Sequence, residues 1–407
     1  MTFKIKIPKK LNYEQIIVWL FSILPAIDTL NGYLSSNIGM TYKMLVCVVL
    51  LLAMVRNGAI RRNFVTESVI VFVYIAFTIF FNSFVFSGKI IEINYPIKLF
   101  FNFIMFFLLM ENYRVNNLNG YSFFKMLDNS AWMMVFCFLI PYFLKVGSSV
   151  YGNVGYKAFF YSQNELSLVL IVLSFFCAYK MVLNPKILSF VEYGLIMVCA
   201  ILLNTKSTLL ICLVSFGAFL LTVAHRGGLK QKIFIGIGLI IGVLLLKNKF
   251  ISAVQASMGR YDVLKNKYYG GSILTSILSQ RDLFALSAWK ELTAKHTLFR
   301  FFFGNGFCST ILTEMDFVDI FFYLGVIGLI AVTIFFMMIL KYSIPNFKTD
   351  RTCIRALSFW AILGFIMFTG HVIFMAMSGC YAIVYYCFLI TFRNENINTR
   401  KNACEQV

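Results

Sequence analysis

The chain has 407 residues, of which 60% are hydrophobic and 17% aromatic, and it carries a formal net charge of +19. Its mean hydropathy of +0.81 means that it has too much apolar surface for a single soluble domain. The positive charge does not indicate a nucleic-acid partner, because no basic patch lies within a recognition fold. The composition therefore predicts a polytopic integral membrane protein.

Long apolar runs such as 233–246 and 321–340 lack the alternation of barrel strands. Backbone groups in lipid must be satisfied within a helix or a closed barrel, so we expect an all-α fold. At ~20 residues per span, about twelve transmembrane helices are predicted, and ten or eleven if the last pair is one re-entrant hairpin. They lie near 14–34, 39–55, 66–86, 96–113, 127–146, 161–180, 187–205, 207–224, 231–247, 317–341, 356–373 and 375–392.

Lysine and arginine collect in segments that this span count places on one side of the membrane. Short cytoplasmic loops retain positive charge, so this side is predicted to be the cytoplasm, and both termini lie there. The segments contain Lys4–Lys10, Arg56–Arg62, Arg226–Lys232, Lys341–Arg355 and Arg393–Lys401. We therefore expect a multi-pass protein of the cytoplasmic (inner) membrane. Residues 1–407 form one membrane domain, and 247–317 is a large outward loop between the ninth and tenth helices.

The outward loop 247–317 contains the longest polar stretch of the chain. Within it, Ser279 followed by Asp282 resembles a helix cap with an acidic partner, and apolar residues follow at helical spacing as far as Trp289. We expect a short helix that begins near Gln280. Its terminal amides and Arg281 would form a cradle for phosphate. The alternative is an interfacial helix whose arginine only touches lipid headgroups.

Two carboxylates, Glu314 and Asp316, lie at the mouth of the tenth span, with Asp319 one turn further on. Desolvation at this position favours a general base. The alternative is a solvated helix start, where acids interact well with the helix dipole. Just before them, Gly304–Gly306 favours a tight turn with positive backbone angles that returns the chain to the membrane surface.

Ionisable residues also interrupt the spans, namely Asp28, Lys98, Glu111, Glu165, Glu192 and Lys206. Charge within the membrane indicates function unless the side chain reaches the interface. Lys206 lies in a short turn at the outer face, where it either binds a lipid pyrophosphate or snorkels. His296 and His371 are also predicted to face outward. The ten cysteines form no CxxC pair, so neither a disulfide framework nor a structural zinc site is predicted.

The order of these motifs resembles the O-antigen polymerase and O-antigen ligase superfamily over residues 150–340. The segment FYSQNELS at 160–167 resembles the family's phenylalanine-x-x-proline-asparagine element, with Asn164 as its asparagine. The segment NTKST at 204–208 resembles its threonine-x-serine-arginine element. Gln163 stands where the family often has proline and Thr208 where it often has arginine, so the anion-binding role would pass to Lys206. The family's large outer loop and the following span resemble the segments with Ser279–Arg281, Trp289, Gly304–Gly306, Glu314–Asp316 and Leu324–Gly328.

The resemblance implies a glycosyltransferase that joins undecaprenyl-pyrophosphate-linked oligosaccharide repeat units into O-antigen or capsule polysaccharide at the outer face of the membrane. It would need no metal or cofactor, because cations stabilise the departing pyrophosphate. Its partners would be the lipid-linked oligosaccharides, membrane lipids, a chain-length regulator and a repeat-unit flippase. An O-antigen ligase that transfers polymer to lipid A core remains open. So does a lipid-linked oligosaccharide transporter, although we see no repeated halves.

The expected site residues divide into two roles. Arg281 would stabilise the pyrophosphate, and a carboxylate or histidine would take the proton of the acceptor hydroxyl. The catalytic set is Arg281, Glu314, Asp316 and His296. Trp289 either stacks on a sugar face or packs the loop helix onto the bundle. The substrate-binding set is Lys206, Asn164, Trp289, Gly304, Gly306 and His371.

Overall fold

The computed structural model describes residues 12–34, 38–56, 62–86, 94–150, 155–226, 275, 278, 281–308, 313–343, 353–372 and 375–404. Within these ranges the chain is almost entirely helical, as predicted. The helices are α1 (Tyr13–Ser22), α2 (Leu24–Leu34), α3 (Ile38–Arg56), α4 (Arg62–Phe80), α5 (Asn94–Arg114), α6 (Gly120–Phe143), α7 (Gln163–Leu183), α8 (Ile187–Leu203), α9 (Lys206–Arg226), α10 (Arg281–Ala294), α11 (Thr297–Phe303), α12 (Asp316–Ser343), α13 (Cys353–Phe368) and α14 (Ala376–Cys404). A π-helical turn, Phe81–Val85, extends α4, and a two-residue hairpin pairs β1 (Ser149–Val150) with β2 (Gly155–Tyr156).

Four of these helices, α3, α6, α7 and α12, are long and apolar enough to cross a membrane. The pair α1 and α2 adds a fifth if the two helices form one span with its bend of 43°. Other apolar helical segments are shorter, with 10–17 residues each, and comprise Val69–Val85, Ile187–Leu203, Ser207–Val223, Ile354–Phe368 and Met377–Phe392. The membrane class is thus supported, whereas the count of twelve spans and their orientation stay predictions. The predicted span 231–247 lies outside the described residues.

Helix α7 lies at the centre of the fold. Every residue from Glu165 to Met181 is buried, and the helix packs against α6, α8, α9, α13 and α14. A helix that is apolar on all sides is stable only when neighbours surround it. The first turn of α7 is therefore fixed in place, and it carries Asn164, which lies against Gly370 after α13.

Ion pairs within the bundle join neighbouring helices. The Lys43 ammonium of α3 lies 2.6 Å from the Asp28 carboxylate of α2, and both side chains are buried. At the other end of α7, Lys180 pairs with Asp128 of α6 and with Glu192 of α8. A charge left without its partner in such surroundings is strongly destabilising. These pairs therefore fix which helices are neighbours.

The turn after α11 docks against a break in α12. Gly325 interrupts that helix with φ 66° and ψ −170°, and a Cβ at this position would lie 2.2 Å from the Phe302 carbonyl oxygen. In the same contact the Asn305 amide donates to the Phe322 oxygen at 2.8 Å, and the Gly306 amide donates to the Tyr323 oxygen at 3.1 Å. Only glycine allows backbones to approach so closely at these angles. The predicted tight turn at Gly304–Gly306 is thus present.

Helix α4 and its π-helical turn hold the same docked turn from the other side. The Asn82 side chain donates to the Gly304 oxygen at 3.1 Å. The Tyr74 hydroxyl donates to the Leu324 oxygen, which the break in α12 has released from the helix ladder. Cys308 ends the turn with its thiol 3.7 Å from the Ser83 hydroxyl, and burial raises the pKa of this thiol. The docked turn is therefore fixed to both α4 and α12.

Candidate functional site

Arg281 is the first residue of α10 and connects three segments. Its Nη2 donates to Glu314 Oε2 at 3.2 Å, and its Nη1 donates to the carbonyl oxygen of Phe368, the last residue of α13, at 3.3 Å. The side chain of Arg281 is 15% exposed, whereas that of Glu314 is 48% exposed. The buried Nε–H has no hydrogen-bond partner among the described residues. The guanidinium is thus fixed in place and retains one unsatisfied donor.

Helix α10 begins at Arg281, in agreement with the predicted start near Gln280. The Ser279 cap lies outside the described residues. Asp282 Oδ2 accepts from the Thr275 hydroxyl at 2.5 Å. Ala288 and Leu292 then pack against Phe322 of α12, so α10 lies along the first part of α12.

Glu314 is held by its backbone as well as its side chain. It adopts a left-handed conformation with φ 56°, and its carbonyl oxygen accepts from the Gly370 amide at 2.7 Å. Gly370 in turn lies against Asn164, because a Cβ at position 370 would be 2.3 Å from Asn164 Nδ2. Three parts of the chain therefore meet at one point, namely the start of α7, Glu314 before α12 and the segment after α13.

His371 follows Gly370 and lies beside the Asp319 carboxylate of α12. Its Nδ1 is 3.3 Å from Asp319 Oδ2, and both side chains are buried. Asp319 also organises the chain before α12, because its Oδ1 accepts from the Thr313 amide at 2.9 Å and from the Thr313 hydroxyl at 2.7 Å. Its Oδ2 accepts from the Met315 amide at 3.2 Å. One carboxylate thus orients both an imidazole and the turn that carries Glu314.

We call Arg281, Glu314, Asp319, His371 and Asn164 the arginine–carboxylate cluster. Of the predicted residues it contains Arg281, Glu314, His371 and Asn164. Asp316, the preferred base beside Glu314, lies at the start of α12 with its side chain fully buried. Asp319 was not among the selected site residues. Its position three residues after Asp316 was a usable signal, because i and i+3 lie on one helical face.

Aromatic and cationic side chains of α5 border the cluster. The ring of Tyr95 lies 5.4 Å from that of His371. One turn later, Lys98 places its ammonium 3.8 Å from the sulfur of Met375, and Asn102 donates to the Met375 carbonyl oxygen at 3.2 Å. Lys98 was noted from the sequence only as a charge within a span. It supplies a second cation next to the segment that carries His371.

Four predicted site residues have structural contacts instead. Trp289 is 44% exposed and stacks on Phe321 of α12, with ring centroids 6.2 Å apart, so it packs the loop helix onto the bundle. His296 precedes α11 and stacks on Phe86 at 3.9 Å. Gly304 and Gly306 form the docked turn. In the described part of the chain, no contact joins these four to the arginine–carboxylate cluster.

The predicted anion-binding turn NTKST lies beside α7. Asn204 ends α8 in a left-handed conformation, and Lys206 begins α9, although its side chain lies outside the described part of the structure. The Thr205 hydroxyl is 3.2 Å from the Ser167 hydroxyl, one turn after Asn164. Thr205 also donates to Thr208 and caps the start of α9. The two motifs thus lie against each other.

Helices long and apolar enough to cross a membrane, together with an arginine–carboxylate cluster at the end of the bundle, support the class of helical membrane proteins with a polar site that α7, α10, α12 and the segment after α13 assemble. Among the described residues, no group of three or more histidine, cysteine, aspartate or glutamate side chains is placed to hold a metal ion. No protein-family model matches this sequence, and no curated protein matches it significantly.

Proposed function

We propose that the protein is a polysaccharide polymerase that joins undecaprenyl-pyrophosphate-linked oligosaccharide repeat units at the outer face of the cytoplasmic membrane. The observation that carries this proposal is Arg281. It is held at the start of a helix by Glu314 and the end of α13, with its buried Nε–H unsatisfied. An oriented guanidinium beside helix amides is suited to a pyrophosphate, because both supply donors for its oxygens.

In the proposed reaction, a hydroxyl oxygen of the acceptor unit attacks the anomeric carbon of the donor chain. The bond between that carbon and the pyrophosphate oxygen breaks, and undecaprenyl pyrophosphate leaves with the electron pair. Negative charge develops on the departing oxygen, where Arg281 stabilises it. Lys206, at the turn beside Ser167, is proposed as a second cation for the same group.

The acceptor proton needs a base, and the His371–Asp319 pair supports that role better than the carboxylates first preferred. Glu314 already pairs with Arg281, whereas Asp319 lies beside an imidazole that can carry the proton. A carboxylate beside one imidazole nitrogen orients the ring and stabilises its protonated form. In this proposal His371 accepts the hydroxyl proton, and Asp319 acts as its positioning residue.

A transporter for lipid-linked oligosaccharides is the second candidate, and the ion pairs within the bundle favour it. Lys180, Asp128 and Glu192 bring two carboxylates and one ammonium together between α6, α7 and α8. Ionisable groups within spans often mark a transport pathway. The same cluster also serves to fix helix neighbours, as described above, whereas Arg281 has its unsatisfied donor on the inserted loop.

The test uses purified protein in lipid with undecaprenyl-pyrophosphate repeat units from its own source, with and without a chelator. We expect a ladder of products on a gel, unchanged by chelation and lost in Arg281→Ala. Lys290→Ala is the matched control, because Lys290 is an exposed cation on the same helix. Arg281→Lys is expected to be impaired as well, since a point charge cannot bridge Glu314 and Phe368 simultaneously.

Three outcomes would contradict the polymerase proposal. A ladder of normal intensity from folded Arg281→Ala would remove the role of the guanidinium. No ladder from folded wild-type protein, combined with transfer of added polymer to lipid A core, would identify a ligase instead. Movement of repeat units across the bilayer without any product would identify a transporter.

A further inference from the structure

A cavity of about 440 Å³ opens to the surface beside the first turn of α7. Its walls come from the end of α2, the hairpin that follows α6, and the segment just before α7. Tyr33, Ser148, Lys157 and Tyr161 are the side chains that line it and carry the argument below. Ligand sites for small molecules occupy roughly 300–1,000 Å³, so this cavity is of a suitable size.

The walls of this cavity are fixed by close contacts. A Cβ at Gly32 would lie 1.8 Å from the Phe159 carbonyl oxygen, so the backbone of α2 touches the segment before α7. The ring of Tyr33 packs edge-on against that of Phe159 at 5.0 Å. On the hairpin side, the Ser148 amide and hydroxyl both donate to the Ala158 oxygen at 2.8 Å. A ligand would meet a formed site, which lowers the entropy cost of binding.

The chemistry of the lining favours a saccharide. Tyr33 and Tyr161 are 64% and 69% exposed, so their aromatic faces are available at the surface. Between them, Lys157 is held in place because its ammonium donates to the Tyr161 carbonyl oxygen at 2.9 Å. Sugars present apolar C–H faces that stack on aromatic rings and hydroxyl edges that need polar partners, and tyrosine offers both an apolar body and a polar tip. An acyl chain would find polar groups here that it cannot satisfy.

The cavity lies next to the arginine–carboxylate cluster. Tyr161 is followed by the Ser162 cap of α7, and Asn164 already touches Gly370 beside His371. Three residues of chain span at most ~11 Å. An oligosaccharide whose reacting unit lay at the cluster would therefore reach the cavity with a neighbouring sugar.

We propose that this cavity, which we call the tyrosine cavity, is a saccharide-binding subsite. It holds a sugar of the oligosaccharide chain adjacent to the reacting unit, by stacking on Tyr33 and Tyr161 and by hydrogen bonds from Lys157. Its place in catalysis rests on the proposed polymerase function, whereas the binding of a saccharide does not. The lipid and the pyrophosphate contribute nothing to this contact.

Saturation-transfer NMR on the full-length protein in detergent tests the binding directly. The probe is oligosaccharide released by mild acid from the source cell's surface polysaccharide, free of lipid and phosphate. We expect the Tyr33→Ala, Tyr161→Ala double variant to lose about tenfold in affinity. The double phenylalanine variant should keep most of it, because both rings remain. Tyr142→Ala is the matched control, since Tyr142 is a half-exposed ring in a neighbouring cavity.

The outcomes separate this inference from the polymerase proposal. A ladder from wild-type protein together with unchanged saccharide affinity in the alanine variants would overturn the tyrosine cavity and leave the polymerase intact. Saccharide binding that depends on the two tyrosines, without any ladder, would retain the cavity and reject the polymerase. Loss of thermal stability with unchanged affinity would show that the tyrosines only anchor the protein at the interface. Tyr161→Ala alone serves if the double variant does not fold.

Discussion

The docked turn between α11 and α12 gives the sharpest prediction, and Gly304→Ala is the change that tests it. Gly304 has φ 78° and ψ −178°, a region that costs other residues ~1–3 kcal/mol. A Cβ there would also lie 2.2 Å from the Tyr323 carbonyl oxygen. The two backbones would have to separate by on the order of 1 Å, which is enough to break the hydrogen bonds between them.

The free-energy cost of separating the two backbones follows from the hydrogen bonds that are lost. Three hydrogen bonds hold the turn, from the Asn305 amide, the Gly306 amide and the Asn82 side chain. At ~0.5–1.5 kcal/mol each, their loss amounts to roughly 2–4 kcal/mol. Since every 1.4 kcal/mol is tenfold, the undocked loop should become at least about 30-fold more populated.

Limited proteolysis measures this population, because cleavage of a transiently open segment follows the free energy of opening. Trypsin cleavage at Arg300 on α11, identified by mass spectrometry, should accelerate by at least about 30-fold in Gly304→Ala. Gly194→Ala is the matched control, since Gly194 lies in α8 with no atom within 4 Å of an added Cβ. A Gly304→Ala rate within twofold of the wild-type rate would refute the docked-turn account.

Three further predictions concern the buried ion pairs, the loop cysteine and the carboxylate beside His371. Lys180→Met should cost ~3–5 kcal/mol in thermal unfolding, because it leaves Asp128 and Glu192 without their cation, whereas Lys180→Arg should cost less. The alkylation rate of Cys308 should keep rising with pH beyond the ordinary thiol pKa of ~8.5, because burial raises the pKa of this thiol and the reactive thiolate forms only at higher pH. The Cys308→Ser variant measures the alkylation of the other cysteines. A Cys308 rate that levels off near the ordinary pKa would contradict burial. Asp319→Asn should lower the rate of ladder formation at saturating substrate while the KM changes little, since the amide keeps only one of the two oxygens that accept from Thr313 and Met315 and removes the orienting charge from His371. An unchanged rate would exclude the positioning role.

Local patterns were sufficient for the helices and for the loop helix. Apolar runs predicted helical segments where the structure has them, and the cap-like pattern before Leu283 predicted a helix that begins near Gln280, which the structure has from Arg281. The glycine pair predicted a tight turn at Gly304–Gly306. These features depend on residues within a few positions of one another, so sequence spacing carries the information.

Long-range partners were not predictable in the same way. Nothing near Glu314 in sequence indicates that its carbonyl oxygen accepts from Gly370, or that Asn164 lies against that glycine. The preference for Asp316 over Asp319 had the same cause, because the choice depends on where His371 arrives from after α13. Likewise, the sequence placed His296 in the catalytic set and His371 in the substrate-binding set, whereas His296 stacks on Phe86 and His371 lies beside Asp319.

The break in α12 has a consequence for protein engineering. The backbone of the turn around Gly304 and the backbone of α12 around Gly325 are in direct contact and fit each other. Tyr74 and Asn82, from α4 and its π-helical turn, donate hydrogen bonds to this contact. A chimera that exchanges only the segment around Gly304 would combine two backbone surfaces that do not fit each other. A transplant of this segment therefore requires that residues 302–306, 322–325 and 74–82 be exchanged together.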